Sequence, residues 1–129
     1  MKTIDLKTTR VDLRPDGLMH IHIKAGAEIG LLEAFEVLKA MKMLGDGKKF
    51  PVFIDAGEFA SIDRDVRIFS ASAEGNIYTL ADAVAYHSLA QKLVADFYVN
   101  QNKPVVPTRT FSDDANAIEW LKTFLKTPV

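Results

Sequence analysis

The stretch Phe50-Pro51-Val52-Phe53-Ile54-Asp55-Ala56-Gly57-Glu58-Phe59-Ala60-Ser61-Ile62-Asp63-Arg64-Asp65 decides how the rest of this chain folds. Its opening residues are apolar on both parities, the pattern of a strand buried on both faces within a helix-covered parallel sheet. A central strand is expected here. The chain then leaves the sheet at Asp55, turns at Gly57 and offers Ser61 and Asp63 as alternative N-caps for a helix from about Arg64 to Glu74. Such a unit delivers polar side chains to the carboxyl end of a strand, where open α/β sheets bind their ligands.

Upstream, Ile4 and Leu6 alternate with charges, and Val11 and Leu13 do so in the opposite parity, which predicts extended chain with a bulge or break at Thr8-Thr9. Pro15-Asp16-Gly17 supplies a turn into Met19, Ile21 and Ile23, completing a β-hairpin with His20, His22 and Lys24 outward. A helix beginning near Glu28 places Leu31, Ala34, Phe35, Val37, Leu38, Met41 and Leu44 on one face and stops at Gly45-Asp46-Gly47. Downstream, Val66, Phe69 and Ala73 mark the inner face of the second helix, and residues 76–80 fit no single pattern. Ala83 to Tyr86 reads as a short strand, and Ser88 with Gln91 as a capping box for a helix whose buried stripe is Leu89, Leu93, Val94 and Phe97. Val105 to Thr110 reads as an edge strand because Pro107 lacks a ladder donor. Ser112 is the expected cap of a last helix packed through Ala117, Ile118, Leu121 and Leu125. Strands separated by single helices imply right-handed crossovers and a mainly parallel sheet, with three helix N-termini along one rim.

The chain has 129 residues, sized for one domain over residues 1–129, and 26% charged with 48% hydrophobic residues marks a folded protein. Lys and Arg number 16 against 17 Asp and Glu, so no long-range positive field favours nucleic acid as a partner. With no cysteine there is no disulfide, thiol nucleophile or thiolate metal site. No segment is apolar over the length of a bilayer, and a cytoplasmic location is the expectation.

The order of elements resembles the STAS domain fold of anti-sigma-factor antagonists. Lys103-Pro104, Pro107, Arg109, Phe111-Ser112-Asp113 and Ala117-Ile118-Glu119-Trp120-Leu121 are similar to the ending of small bacterial STAS-like proteins without assigned activity. The resemblance implies a SpoIIAA-like mixed, mainly parallel sheet with an N-terminal β-hairpin and about four helices. Antagonist STAS domains carry an Asp-Ser-Ser-Gly-like segment after the central strand, whose serine accepts phosphate. Here the matching run is Ile62-Asp63-Arg64-Asp65-Val66, in which Asp63 matches and the phosphoacceptor serine does not.

Candidate chemistry is thin. His20 and His22 lie two apart on one strand and suit zinc or copper, but they need a third ligand that their sequence neighbourhood lacks, and alternation already explains them as an exposed face, so no metal is expected. Asp55, Ser61 and His87 are the members available for a Ser-His-Asp arrangement, yet no Gly-x-Ser-x-Gly elbow surrounds Ser61. Helix starts attract phosphate, but those here carry Asp63, Asp65, Asp113 and Asp114, and no glycine-rich phosphate loop exists. Trp120 and Phe124 read as core, and Met41 and Met43 as gap fillers. These readings converge on a non-enzymatic, STAS-like regulatory or protein-interaction domain without cofactor, whose surface comprises Asp55, Glu58, Ser61, Asp63, Arg64, Asp65, Arg67 and His87. An unidentified protein partner is expected, with self-association through a sheet edge as a further option. The alternative is a small apolar-ligand or lipid binder, since related folds such as CRAL-TRIO domains enclose lipids.

Overall fold

The computed structural model describes residues 1–125, and residues 126–129 of the expected single domain lie outside the described residues. In chain order the elements are β1 (Lys2–Asp5), β2 (Thr9–Leu13), β3 (Met19–Ile23), β4 (Glu28–Ile29), α1 (Leu31–Gly45), β5 (Phe50–Ala56), β6 (Ser61–Ile62), α2 (Arg64–Ala71), β7 (Thr79–Ala85), α3 (Leu89–Phe97), β8 (Thr108–Phe111) and α4 (Asp114–Lys122). The six-stranded sheet runs β1-β2-β3-β5-β7-β8, while β4 and β6 pair separately. β1–β2 and β2–β3 pair antiparallel, whereas β3–β5, β5–β7 and β7–β8 pair parallel. The apolar run at Phe50 is therefore the central strand it was expected to be.

Three crossovers advance in the same direction across the sheet, so right-handed connection stacks α1, α2 and α3 on one face and leaves the other to α4. Beneath α1 lie Val11, Met19 and Val52 with Ala40 and Met41. Beneath α4 lie Phe53, Ala81, Ala83 and Ala85 with Leu18, Ala117 and Leu121. Alternation within β5 explains both sets, because Val52 and Phe53 point to opposite faces. A smaller cluster of Ile23, Ile29 and Val66 holds the β4–β6 pair to α2.

Several expectations need correction. The expected hairpin is present as β2 and β3, and the break at Thr8-Thr9 is a tight turn, closed by Leu6 N donating to Thr9 O (2.9 Å), through which β1 extends it to a three-stranded meander. Glu28 belongs to β4 rather than to the first helix, because its strand pairs with Ser61-Ile62 across the sheet's carboxyl rim. The second helix ends at Ala71, and of the undecided residues 76–80, Asn76 closes a short 3-10 turn while Thr79 and Leu80 open β7. α1 stops at Gly45-Asp46-Gly47 as expected, with Asp46 in the left-handed cap at φ 53° and Gly47 following at φ 73°. Asp113 rather than Ser112 caps α4, accepting from Ala115 N at 2.7 Å. The final strand starts after Pro107, whose carbonyl accepts from Asp82 N, and it does form a sheet edge.

The largest departure is in α3. Leu89, Leu93, Val94 and Phe97 were expected to be buried, yet they are 53–73% exposed and Ala95 alone is buried in that helix. Helical spacing placed these residues on one face correctly; the helix turns its opposite side, that of Ala95, toward the protein and leaves this face to solvent. The N-cap reading holds, with Ser88 Oγ accepting from Gln91 N (3.1 Å) and Gln91 Oε1 accepting from His87 N (2.8 Å). Ser88→Ala should destabilise α3 by ~1 kcal/mol, measured as faster amide exchange in that helix; unchanged exchange would show the cap to be idle.

Candidate functional site

β3 and β5 bring together the groups with the densest chemistry. Parallel pairing sets His20 against Phe53 and His22 against Asp55, and antiparallel pairing sets Asp12 against His20 and Arg10 against His22. Residues in register share a face, so Arg10, Asp12, His20, His22 and Asp55 all lie on the face that α4 occupies. α4 packs over β5, β7 and β8, leaving this group at its flank. His20 Nε2 lies 2.8 Å and His22 Nδ1 3.0 Å from the same oxygen, Asp55 Oδ1. Burial pushes the Asp55 carboxyl up, but the hydrogen bonds from His20 and His22 and their charge when protonated outweigh it and hold the carboxyl below its ordinary value.

Asp12, almost wholly buried, accepts from Thr3 Oγ1 (2.7 Å), pairs with Arg10 Nε (3.3 Å) and stands 3.9 Å from His20 Nδ1. His20 also rests on Phe53, ring centroids 5.0 Å apart. Among the described residues, His20, His22 and Asp55 present one ligand atom each within 4.8 Å of one another, a set able to hold an ion. Sequence reasoning found the histidines and Asp55 separately. Their meeting depends on a contact between residues more than thirty positions apart, for which the shared alternation of two adjacent strands is the available signal.

The remaining predicted residues lie elsewhere. Because β3, β5, β7 and β8 are parallel and each precedes a helix, all four helix N-termini rise from one rim. Glu58 sits on the loop after β5, where its carbonyl accepts from Gly26 N (2.8 Å), and Phe59 forms the tip, 89% exposed with φ +62°. Ser61 is held in β6, and Asp63 occupies the N-cap of α2 without a side-chain cap bond. Arg64 and Asp65 are exposed on the first turn of α2. Arg67 turns inward, donating from Nη1 to Ile62 O (2.7 Å) and stacking 6.0 Å from the Phe97 ring centroid. His87 faces Asp114 at 3.7 Å. Asp55 is thus engaged by His20 and His22 while His87 faces a different carboxylate, so the Ser61–His87–Asp55 arrangement is not assembled.

Two open depressions flank the rim. One of about 430 Å³ is lined by Arg109, Phe111, Asn116, Glu119, Trp120 and Thr123, and one of about 340 Å³ by Tyr86, His87, Ser88, Leu89, Lys92 and Ser112. Trp120 and Phe124 pack partly buried against the α4 core, while Arg109 lies over both Phe111 and Trp120. Met41 is core as expected, whereas Met43 is 65% exposed.

A mainly parallel sheet with an antiparallel leading meander, three helices on one face and one on the other defines a SpoIIAA-like α/β fold. It is similar to the crystal structure of an uncharacterized protein of the DUF3478 family with a SpoIIAA-like fold from Shewanella loihica PV-4. The two share 16% identity over 88% of this chain and 91% of that one, with a TM-score of 0.55, a likeness of fold alone. The chain belongs to a family described as a domain of unknown function, DUF7793, whose model matches residues 12–125. No match was found among curated proteins. No helix of the described residues is long and apolar enough to cross a membrane.

Proposed function

We propose that this chain is a non-enzymatic, STAS-like regulatory or protein-interaction domain that docks a partner protein across its helical face and carboxyl rim. The observation carrying this reading is the uncovered apolar stripe of α3, four large side chains at helical spacing turned to solvent. Leu31, Leu32 and Phe35 at the start of α1, Ile68 on α2 and Phe59 at the loop tip are exposed as well. Phe35 stacks on Phe69 (5.1 Å), and Arg67 joins α2 to Phe97, so the three helices offer linked rather than isolated contacts. Exposed apolar groups in such number on one side of a small domain mark interaction surfaces. Asp63 and Asp65 give the rim fixed negative charge where antagonist STAS domains are phosphorylated, so docking here runs without that switch.

Phe59 offers a clean test, because a glycine would take its left-handed backbone without strain while removing the ring. Phe59→Gly and Leu93→Glu should each weaken partner capture by about tenfold or more, equivalent to ~1.4 kcal/mol, with thermal midpoints nearly unchanged. Recovery of the same partner at wild-type levels from both variants would remove this surface from consideration. A wild-type dimer in sedimentation that Leu93→Glu dissolves would instead assign the surface to a second copy of the chain.

A further inference from the structure

We infer that His20, His22 and Asp55 form a binding site for a divalent transition-metal ion of the zinc class, independent of the docking surface. Two imidazoles and a carboxylate are the donor set that binds zinc in three-ligand sites with one position left open. The same set disfavours magnesium and calcium, which take oxygen ligands almost exclusively. Here the donors come from adjacent central strands rather than from loops, so backbone pairing fixes their spacing.

In the structure a single oxygen, Asp55 Oδ1, faces a ring nitrogen from each histidine at 2.8 and 3.0 Å. Ligand atoms around tetrahedral zinc stand ~3.3 Å apart, given metal–ligand bonds of ~2.0–2.1 Å. Each carboxylate–imidazole separation therefore needs to open by only a few tenths of an ångström to admit an ion, and a ring nitrogen of each histidine already lies within 4.8 Å of the other. All are partly desolvated, with side-chain exposures of 18% for His20, 32% for His22 and 17% for Asp55. That shielding strengthens the attraction between ion and carboxylate while leaving the outer side of His22 open for entry and for a water at the fourth position.

Asp12 supplies the outer support. It stands 3.9 Å from His20 Nδ1, the ring nitrogen opposite the one facing Asp55, and is itself oriented by Thr3 and Arg10. A small approach lets Asp12 accept the Nδ1–H proton, and that tautomer leaves the Nε2 lone pair for the ion, as in carboxylate–histidine–zinc arrangements. With Arg10 answering one carboxylate, Asp12 and Asp55 leave a net negative charge to meet the cation.

The test is calorimetric titration of the untagged, chelator-stripped full chain with zinc chloride, alongside circular dichroism in chelator to verify folding. Wild type should bind one ion per chain, and its thermal midpoint should rise with zinc. His20→Ala with His22→Ala should weaken binding by more than about 100-fold and abolish the midpoint shift, Asp12→Asn should weaken it about tenfold, and His87→Ala should leave it unchanged. His22→Gln, which keeps a polar side chain on the sheet, should also lose the ion should the double variant fold poorly. Zinc bound equally by wild type and by His22→Gln, no ion bound by wild type at millimolar zinc, or calcium bound as tightly as zinc would each overturn the assignment.

Discussion

Asp82→Asn should raise the stability of the folded protein by up to ~4 kcal/mol near pH 8 and leave it almost unaltered at pH ~3. Asp82 lies within β7, a central strand, and is buried. Burial pushes its carboxyl from the ordinary 3.8 up to about 7. Between those values the folded chain holds a proton that the unfolded chain has released, so stability falls as pH rises through the window. Below it both states are protonated and the residue contributes nothing; above it the whole penalty of an ionised, buried carboxylate applies. The Asp82 charge also adds to burial in pushing the neighbouring Tyr98 phenol up. Asn keeps the shape and removes the ionisation. Urea unfolding of both proteins across that range is the measurement, and the difference between the two curves isolates Asp82. A wild-type curve no steeper than that of the variant would contradict the account.

Leu121→Ala should destabilise by ~4 kcal/mol, near the upper end for such a truncation. The reason lies in its neighbours. Leu121 is fully buried on α4, and the surfaces it meets include Ala81, Ala83, Ala85 and Ala117. Alanines have no rotamers with which to refill a hole, so the vacated volume persists and its lining loses dispersion contacts. Leu93→Ala on α3 removes the same atoms from a site 62% exposed and should change stability by less than ~0.5 kcal/mol. Denaturant midpoints of the two variants provide the comparison; equal shifts would mean that the burial contrast between α3 and α4 is misassigned.

The order of strands and helices was legible because it rests on local signals: the apolar run at Phe50, the turn at Pro15-Asp16-Gly17 and the Ser88–Gln91 cap. Errors cluster where a distant part of the chain decides. The β4–β6 pair is too short to carry a period of its own and exists because two loops meet at the rim. The α3 stripe has the periodicity of a buried face, and its exposure follows from the helix packing through Ala95 on its opposite side, which no local pattern encodes. Asp55 reads from the sequence as a polar group at a strand end, and Ser61 and His87 read as its companions only because all three fall at the carboxyl rim. Parity would have pointed instead across the sheet to His20 and His22, had the register between β3 and β5 been known.

Because α4 roofs only one side of its sheet face, the imidazole pair stands on an open ledge instead of in a vault. Ions arriving there would not wait for the chain to unfold, nor would they be trapped as it folds. Occupancy would track the free-ion level of the surroundings from moment to moment, and a competing chelator could empty the ledge without disturbing the helices on the opposite face.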